Sequence, residues 1–305
     1  QQQEGWDVLA VTRLGYPVQV GKLGAHSSDV VDGVRYRRLL PGRLAATLDA
    51  RLQQQAEELL RVALEFKPSV LHTTTHFVNG MVVRAVAEAL DIPWVYEVRG
   101  QLADTWASTR GPAALNSEKY KLFHQREGEI MDAADLVVTL GEAMKASIVA
   151  AGIPAEKILI APNAVGGPFL LEPLQPSEAR RELGLDEDGQ YIGTVSSLVA
   201  YEGIDDLIAA FTQLAGIHPD LRLLIVGDGV CLPALRAQAK QCGFGDRVIF
   251  TGRVSRNEAV RYHQALDVFV VPRKDFEVTR SVTPLKPVEA LACARPVIAS
   301  DLPAL

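Results

Sequence analysis

Short apolar runs alternate along this chain with longer stretches in which apolar residues recur at helical spacing. Residues 8–12 form the first such run, and residues 32–40 the second, where Arg35, Arg37 and Arg38 alternate with Val34 and Tyr36. Leu48, Leu52, Leu59 and Leu60 place one face of a helix over residues 44–66, which stops before Lys67-Pro68. A short strand at 70–72, a helix at 81–90 and a strand at 94–98 opened by Pro93 follow. Residues 101–117 show no period and are expected to be an irregular loop. The pattern then resumes with a helix at 118–132, a strand at 135–139, a helix at 142–151 and a strand at 157–161.

Periodicity breaks at Pro162-Asn163-Ala164-Val165-Gly166-Gly167-Pro168, where a domain junction is expected. A helix at 177–183 ended by Gly184 precedes a second alternating series, with strands at 191–195, 223–226, 248–250, 268–271 and 297–299. The expected organisation is a first domain over 1–165, a linker and first helix over 166–190, and a second domain over 191–305. Strands alternating with helices through short joints predict an α/β fold of two doubly wound parallel sheets, the two domains facing across a cleft. Ligands of such sheets bind beyond the carboxyl ends of strands. In the first domain those ends carry His72, Thr74, Glu97 and Arg99.

Composition narrows the picture. At 305 residues and 48% hydrophobic content, the chain can build two cores. The net charge of −6 is spread evenly, −2 up to Val165 and −4 beyond, which argues against a nucleic-acid partner. Arg35, Arg37, Arg38 and Arg43 read as a solvated face, with an anionic lipid surface or acidic acceptor as the functional alternative. Cys231, Cys242 and Cys293 lack metal-ligand spacing and read as the reduced thiols of a cytoplasmic protein, Cys293 buried in its helix. With no apolar run of membrane-spanning length, any membrane contact is expected to be peripheral, at the inner face.

The chemistry concentrates in residues 267–301. A buried strand runs into a polar loop with Arg273, Lys274 and Arg280, then into a helix for which Thr283 is the expected N-cap and Pro284 the first helical residue. Lys286 falls in the first turn, where a bound anion would offset its unfavourable meeting with the helix dipole. Glu289, three residues on, shares its face and can accept hydrogen bonds from sugar hydroxyls. The bland alternative is a surface loop before an amphipathic helix. A second small-residue loop, Gly193 to Gly203, contains Ser196 and Ser197, and its backbone amides could approach phosphate oxygens; a functionless tight turn is its alternative. Gly227-Asp228-Gly229 lacks the third glycine of a dinucleotide fingerprint and reads as a turn. Asp186-Glu187-Asp188 reads as a solvated turn rather than a metal site, and metal-independent chemistry is expected.

The stretch Pro272-Arg273, then Val282-Thr283-Pro284-Leu285-Lys286-Pro287 with Glu289 and Ala290, resembles the donor-binding segment of family 4 glycosyltransferases. The resemblance spans nearly the whole chain and implies two Rossmann-like domains of GT-B type. It also implies retaining transfer of a sugar from a nucleotide-diphosphate donor, UDP- or GDP-linked, with no further cofactor. It assigns the diphosphate to Arg273, Thr283, Leu285, Lys286, Ser196, Ser197 and Gly203, the ribose to Glu289, and the base to the neighbourhood of Gly227 and Arg253. His72 matches a frequent histidine of the family, and with Glu97 and Arg99 it is the catalytic candidate on the side of the acceptor, a carbohydrate or lipid-linked molecule. His76 is the weaker histidine, and Asn163 matches a common junction segment. Three positions depart from the family pattern: Ser281 replaces a motif glutamate, and Ser197 and Glu202 replace an arginine and a lysine. The resemblance further implies that the sequence lacks a first βα unit and C-terminal helices. A catalytically silent sugar-nucleotide binder and a nucleotide-sugar 2-epimerase are the alternatives.

Overall fold

The computed structural model describes residues 4–305. It divides into one unit of residues 1–102, 121–139 and 151–159, and another of residues 103–120, 140–150 and 160–305.

In the first unit β1 (Leu9–Val11), β2 (Ser28–Val31) and β3 (Val34–Arg37) form a sheet in the order β1-β3-β2, with β3 parallel to β1 and antiparallel to β2. The apolar pattern predicts a strand over 32–40; it is observed as β3 over 34–37, and Asp32 and Gly33, both at positive φ, instead form the two-residue hairpin that joins it to β2, a strand the pattern does not mark. The arginines of β3 and its end are ion-paired, Arg35 to Asp7, Arg37 to Glu65 and Arg38 to Asp29, as a solvated face would have them.

Helix α1 (Leu48–Phe66) is capped by Thr47, whose hydroxyl accepts from the Ala50 amide. Then come β4 (Leu71–Thr74), α2 (Phe77–Leu90), β5 (Trp94–Val98), α3 (Leu102–Ser108), α4 (Glu118–Ala133), β6 (Leu136–Thr139), α5 (Glu142–Ala150) and β7 (Ile158–Ile160). Strands β4 to β7 form one sheet in chain order, with β5 parallel to both β4 and β6. The segment expected to be irregular instead holds α3 and a 3-10 turn at Pro112–Asn116. Asp104 of α3 is buried and accepts from the Tyr120 hydroxyl at 2.6 Å.

The second unit, to which α3 and α5 also belong, carries α6 (Pro176–Leu183), β8 (Gln190–Val195), α7 (Ile204–Ala215), β9 (Leu221–Val226), α8 (Leu232–Gln241), β10 (Val248–Gly252), α9 (Arg256–Ala265), β11 (Val268–Val271), α10 (Glu277–Ser281), α11 (Lys286–Ala292) and β12 (Val297–Ala299). Its five strands are all parallel, in the order β10-β9-β8-β11-β12. The first strand therefore lies in the middle, and the winding reverses between β8 and β11. Leu223, Leu224, Ile225 and Val226 of β9 are fully buried, as a strand covered on both faces requires. Ile208 and Phe211 of α7 pack in one apolar cluster of this unit and Phe269 of β11 in another. Gly184 ends α6 in the left-handed conformation that lets its amide reach back to Arg180 and Arg181.

Candidate functional site

The reversal point between β8 and β11 fixes where a ligand of the second sheet can approach. Four loops leave the strands at that end, and backbone hydrogen bonds tie them together. The Ser196 amide donates to Val226 O, Leu198 to Asp228 O, Gly227 to Gly252 O and Lys274 to Tyr201 O, at 2.9–3.0 Å. Glycine makes this closeness attainable. A Cβ at Gly203 would lie 1.8 Å from the Pro272 carbonyl oxygen, and one at Gly227 would lie 1.9 Å from that of Ser196. Ser196, Gly203, Gly227 and the Arg273 loop are therefore gathered at one edge. Ser196 is buried, with its hydroxyl spent on the Ser197 carbonyl, while Ser197 is exposed.

The expectation of waiting positive charges needs correction. Arg273 is buried and grips Glu202 with two nitrogens, Nη2 to Oε1 at 2.9 Å and Nε to Oε2 at 3.3 Å; its Nη1 donates to Val282 O. Lys286 Nζ stands 3.4 Å from the same Glu202 oxygen. The sequence marks Glu202 only as a position without the family's lysine; in the fold it is a carboxylate shared by both proposed phosphate cations. Burial alone would raise its pKa, but Lys286 and Arg273 outweigh burial and hold the carboxyl below the ordinary range. Burial lowers the Lys286 pKa, and Arg273 adds to that effect, against the pull of Glu202. Two further cations of the segment are matched as well, Lys274 by Asp205 and Asp206, Arg280 by Asp275.

The helix start also differs from expectation. Thr283 caps nothing. Its carbonyl accepts from Asn163 Nδ2 at 3.1 Å, and its hydroxyl would lie 3.0 Å from a Cβ on Gly141. The helix begins at Lys286, with Leu285 before it and Pro287 as its early proline, and Arg280 and Ser281 belong to the separate α10. Glu289 lies one turn along α11, with its carboxyl raised by burial against the opposing charges of Arg256 and Lys286. Its Oε2 is 3.7 Å from Nε2 of His263. His263 is wholly buried, stacks on Phe269, meets Phe169 edge-on and has neither ring nitrogen hydrogen-bonded; burial depresses its pKa to about 4. Nothing in the spacing of the sequence singles His263 out. Arg253 is exposed, and among the described residues no hydrogen bond or ion pair engages it.

In the first unit, His72, Glu97 and Arg99 do come together. One oxygen of Glu97 lies 3.1 Å from His72 Nε2, and the other accepts from Arg99 Nε at 2.7 Å. His72 and Glu97 line a cavity of about 780 Å³ together with Thr12, Thr74 and Asn79. His76 serves the structure instead. Its Nδ1 accepts from the Val78 amide at the start of α2, and its ring packs on Phe77 and Phe123. Asp186 and Glu187 pair with Arg222 and Arg181, the geometry of a solvated turn. Among the described residues no group of three or more His, Cys, Asp or Glu is placed to hold a metal ion, and no helix is long and apolar enough to cross a membrane.

Two α/β units built on parallel strands, with one antiparallel hairpin in the first and the second wound in Rossmann order, define a GT-B-type glycosyltransferase fold. The family model described as Glycosyl transferase 4-like domain matches residues 1–164, and the one described as Glycosyl transferases group 1 matches residues 176–305. The chain belongs to this glycosyltransferase family. It is 26% identical over 250 residues to alpha-monoglucosyldiacylglycerol synthase of Streptococcus pneumoniae, covering 81% of this chain and 55% of that one. It is 31% identical over 175 residues to a GDP-mannose-dependent phosphatidylinositol monomannoside mannosyltransferase of Mycobacterium tuberculosis, covering 56% of this chain and 45% of the relative. The chain thus spans about half the length of these curated relatives. Among solved structures, sucrose-phosphate synthase from Thermosynechococcus elongatus aligns with a TM-score of 0.78 at 22% identity, over 99% of this chain and 73% of the other. Anabaena HepE in complex with UDP-glucose aligns at 0.67 and 19% identity, over 87% and 68%. At these identities the two structural likenesses speak for the fold.

Proposed function

We propose that the protein is a retaining, metal-independent glycosyltransferase that moves a sugar from a UDP- or GDP-linked donor to a glycan, lipid or small-molecule acceptor. The observation that carries this reading is the approach of Arg273 and Lys286 to one carboxylate, Glu202, in the loops leaving β8 and β11, with Glu289 on the same short helix as Lys286. A glycosyl transfer must stabilise negative charge on the departing diphosphate while the sugar carbon turns cationic. Fixed cations in a low-dielectric setting do so without reorganising at the moment of reaction. Arg273, already oriented by Glu202 and Val282, and Lys286 supply that charge, and Glu289 accepts from the ribose hydroxyls. In the first unit, His72 with Glu97 and Arg99 is assigned to the acceptor side, where the histidine can hydrogen-bond a hydroxyl. A sequence relative supports a nucleotide-sugar donor, being GDP-mannose-dependent by its name.

The pairing of both cations with Glu202 favours a second reading, a sugar-nucleotide binder without turnover. Calorimetric titration with UDP, GDP and their sugar esters tests the site. Lys286→Ala is expected to weaken diphosphate binding by at least ~10-fold, the worth of one charge-assisted hydrogen bond. Unchanged affinity would remove the donor-site assignment. Release of nucleoside diphosphate from a bound sugar ester then separates transferase from silent binder, since the latter shows affinity alone.

A further inference from the structure

We infer that Glu202 sets the charge preference of the donor site, favouring the intact sugar ester over the free nucleoside diphosphate that transfer would leave behind. The inference rests on the donor-site reading above and adds to it a specificity-determining residue. Its basis is one carboxylate placed against two cations. Glu202 is buried and reaches Arg273 at 2.9 and 3.3 Å and Lys286 at 3.4 Å. It sits on a 3-10 turn at Ala200–Glu202 that ends at Gly203, in left-handed conformation. The turn is fastened to the next loop through the Lys274 amide on Tyr201 O. Swinging the carboxylate away would break its contacts with both Arg273 and Lys286.

The count of charge follows directly. Arg273 and Lys286 contribute two positive charges and Glu202 removes one, so the cluster presents a single net positive charge. The neighbouring Lys274 adds no positive charge, since Asp205 and Asp206 both face it and leave that trio at −1. A nucleoside diphosphate and its sugar ester share the same bridging phosphates. They differ at the terminal phosphate, which is esterified in one and carries nearly one further negative charge in the other. The attraction gained by that extra charge scales with the net charge it meets. A site with both cations uncompensated would hold the free diphosphate far more strongly than the ester and so retain product. With Glu202 in place the difference shrinks, while the two cations keep their positions around the bridging oxygens.

The measured quantity is the ratio of dissociation constants for ester and free diphosphate, taken with UDP and UDP-glucose and with GDP and GDP-mannose. Glu202→Gln preserves the shape of the side chain and raises the net charge of the cluster by one. It should tighten both ligands and shift the ratio toward the free diphosphate by ~5-fold or more, while lowering the melting temperature of the unliganded protein. Glu202→Asp keeps the charge and should leave the ratio near that of the parent. Arg273→Gln moves the charge the other way and should shift the ratio toward the ester. This variant leaves Glu202 paired with Lys286 and decides the matter should Glu202→Gln not fold. A ratio unmoved by the Gln variants, or moved equally by Glu202→Asp, means that Glu202 serves packing alone and overturns the inference. If binding still depends on Lys286 in that case, the donor site stands and only the role of Glu202 falls. If Lys286→Ala binds as the parent does, both fall.

Discussion

Gly203→Ala is expected to lower the melting temperature by roughly 10 °C and to abolish diphosphate binding with it. The residue has φ near 71°, where a side chain costs about 1 kcal/mol. The larger obstacle is the Pro272 carbonyl oxygen, 1.8 Å from where the new Cβ must sit. That atom belongs to the backbone, so no rotamer change relieves the overlap, and the two loops must part. Parting breaks the Lys274–Tyr201 hydrogen bond and exposes the Glu202–Arg273 pair, a combined loss on the order of 4 kcal/mol. Gly216→Ala is the control. It lies at negative φ, and the nearest atom to its added Cβ is 3.9 Å away, so its melting temperature should stay within about 1 °C of the parent. A Gly203→Ala protein that melts with the parent would show that the loops are not joined as described.

Acid should weaken the second unit through His263. The unfolded imidazole takes its proton near pH 6.5, whereas the folded one, pushed down by burial, does so at about pH 4. Between those values the unfolded chain binds more protons. Stability contributed at neutral pH is therefore lost as pH falls below about 6.5, and the loss is complete near pH 4. At about 1.4 kcal/mol per pH unit the full effect is on the order of 3 kcal/mol. Glu289, raised by its own burial, works in the opposite direction. The comparison is accordingly between the parent and His263→Phe, a ring that suits the space beside Phe169 and Phe269. Urea denaturation from pH 7 to pH 5 should show a slope in the parent that the variant lacks; equal slopes would place the acid sensitivity elsewhere.

Strands 94–98 and 268–271 are legible because burial leaves near-continuous apolar runs, and pattern and structure give them the same bounds; 297–299 is placed by its apolar run as well, although Ile298 and Ala299 are exposed. Strand β2 is not legible, since all four of its residues are exposed and no alternation marks a buried face. Helix α3 is too short for its period to show. The start of α11 is misplaced by pattern because Thr283-Pro284 has the composition of a cap, whereas the contacts of Thr283 with Asn163 and Gly141 come from distant parts of the chain. The same limit hides the role of Glu202. Its partners lie 71 and 84 residues away, and only the folded loops bring them together. What the sequence does offer is a charge anomaly, a glutamate where the resembled family carries lysine, in a chain that also holds Arg273 and Lys286.

Glu202, Asp205, Asp206 and Asp275, by matching Arg273, Lys274, Arg280 and Lys286, also govern how the segment is sensed from outside. At distances beyond a Debye length, roughly 10 Å in 0.1 M salt, these opposite charges cancel, so the segment casts almost no field into solution. An approaching anion is not drawn in from afar; it feels the cations only on arrival. Its encounter rate should therefore change little with ionic strength, and discrimination among anions falls to the fit of the final bound pose.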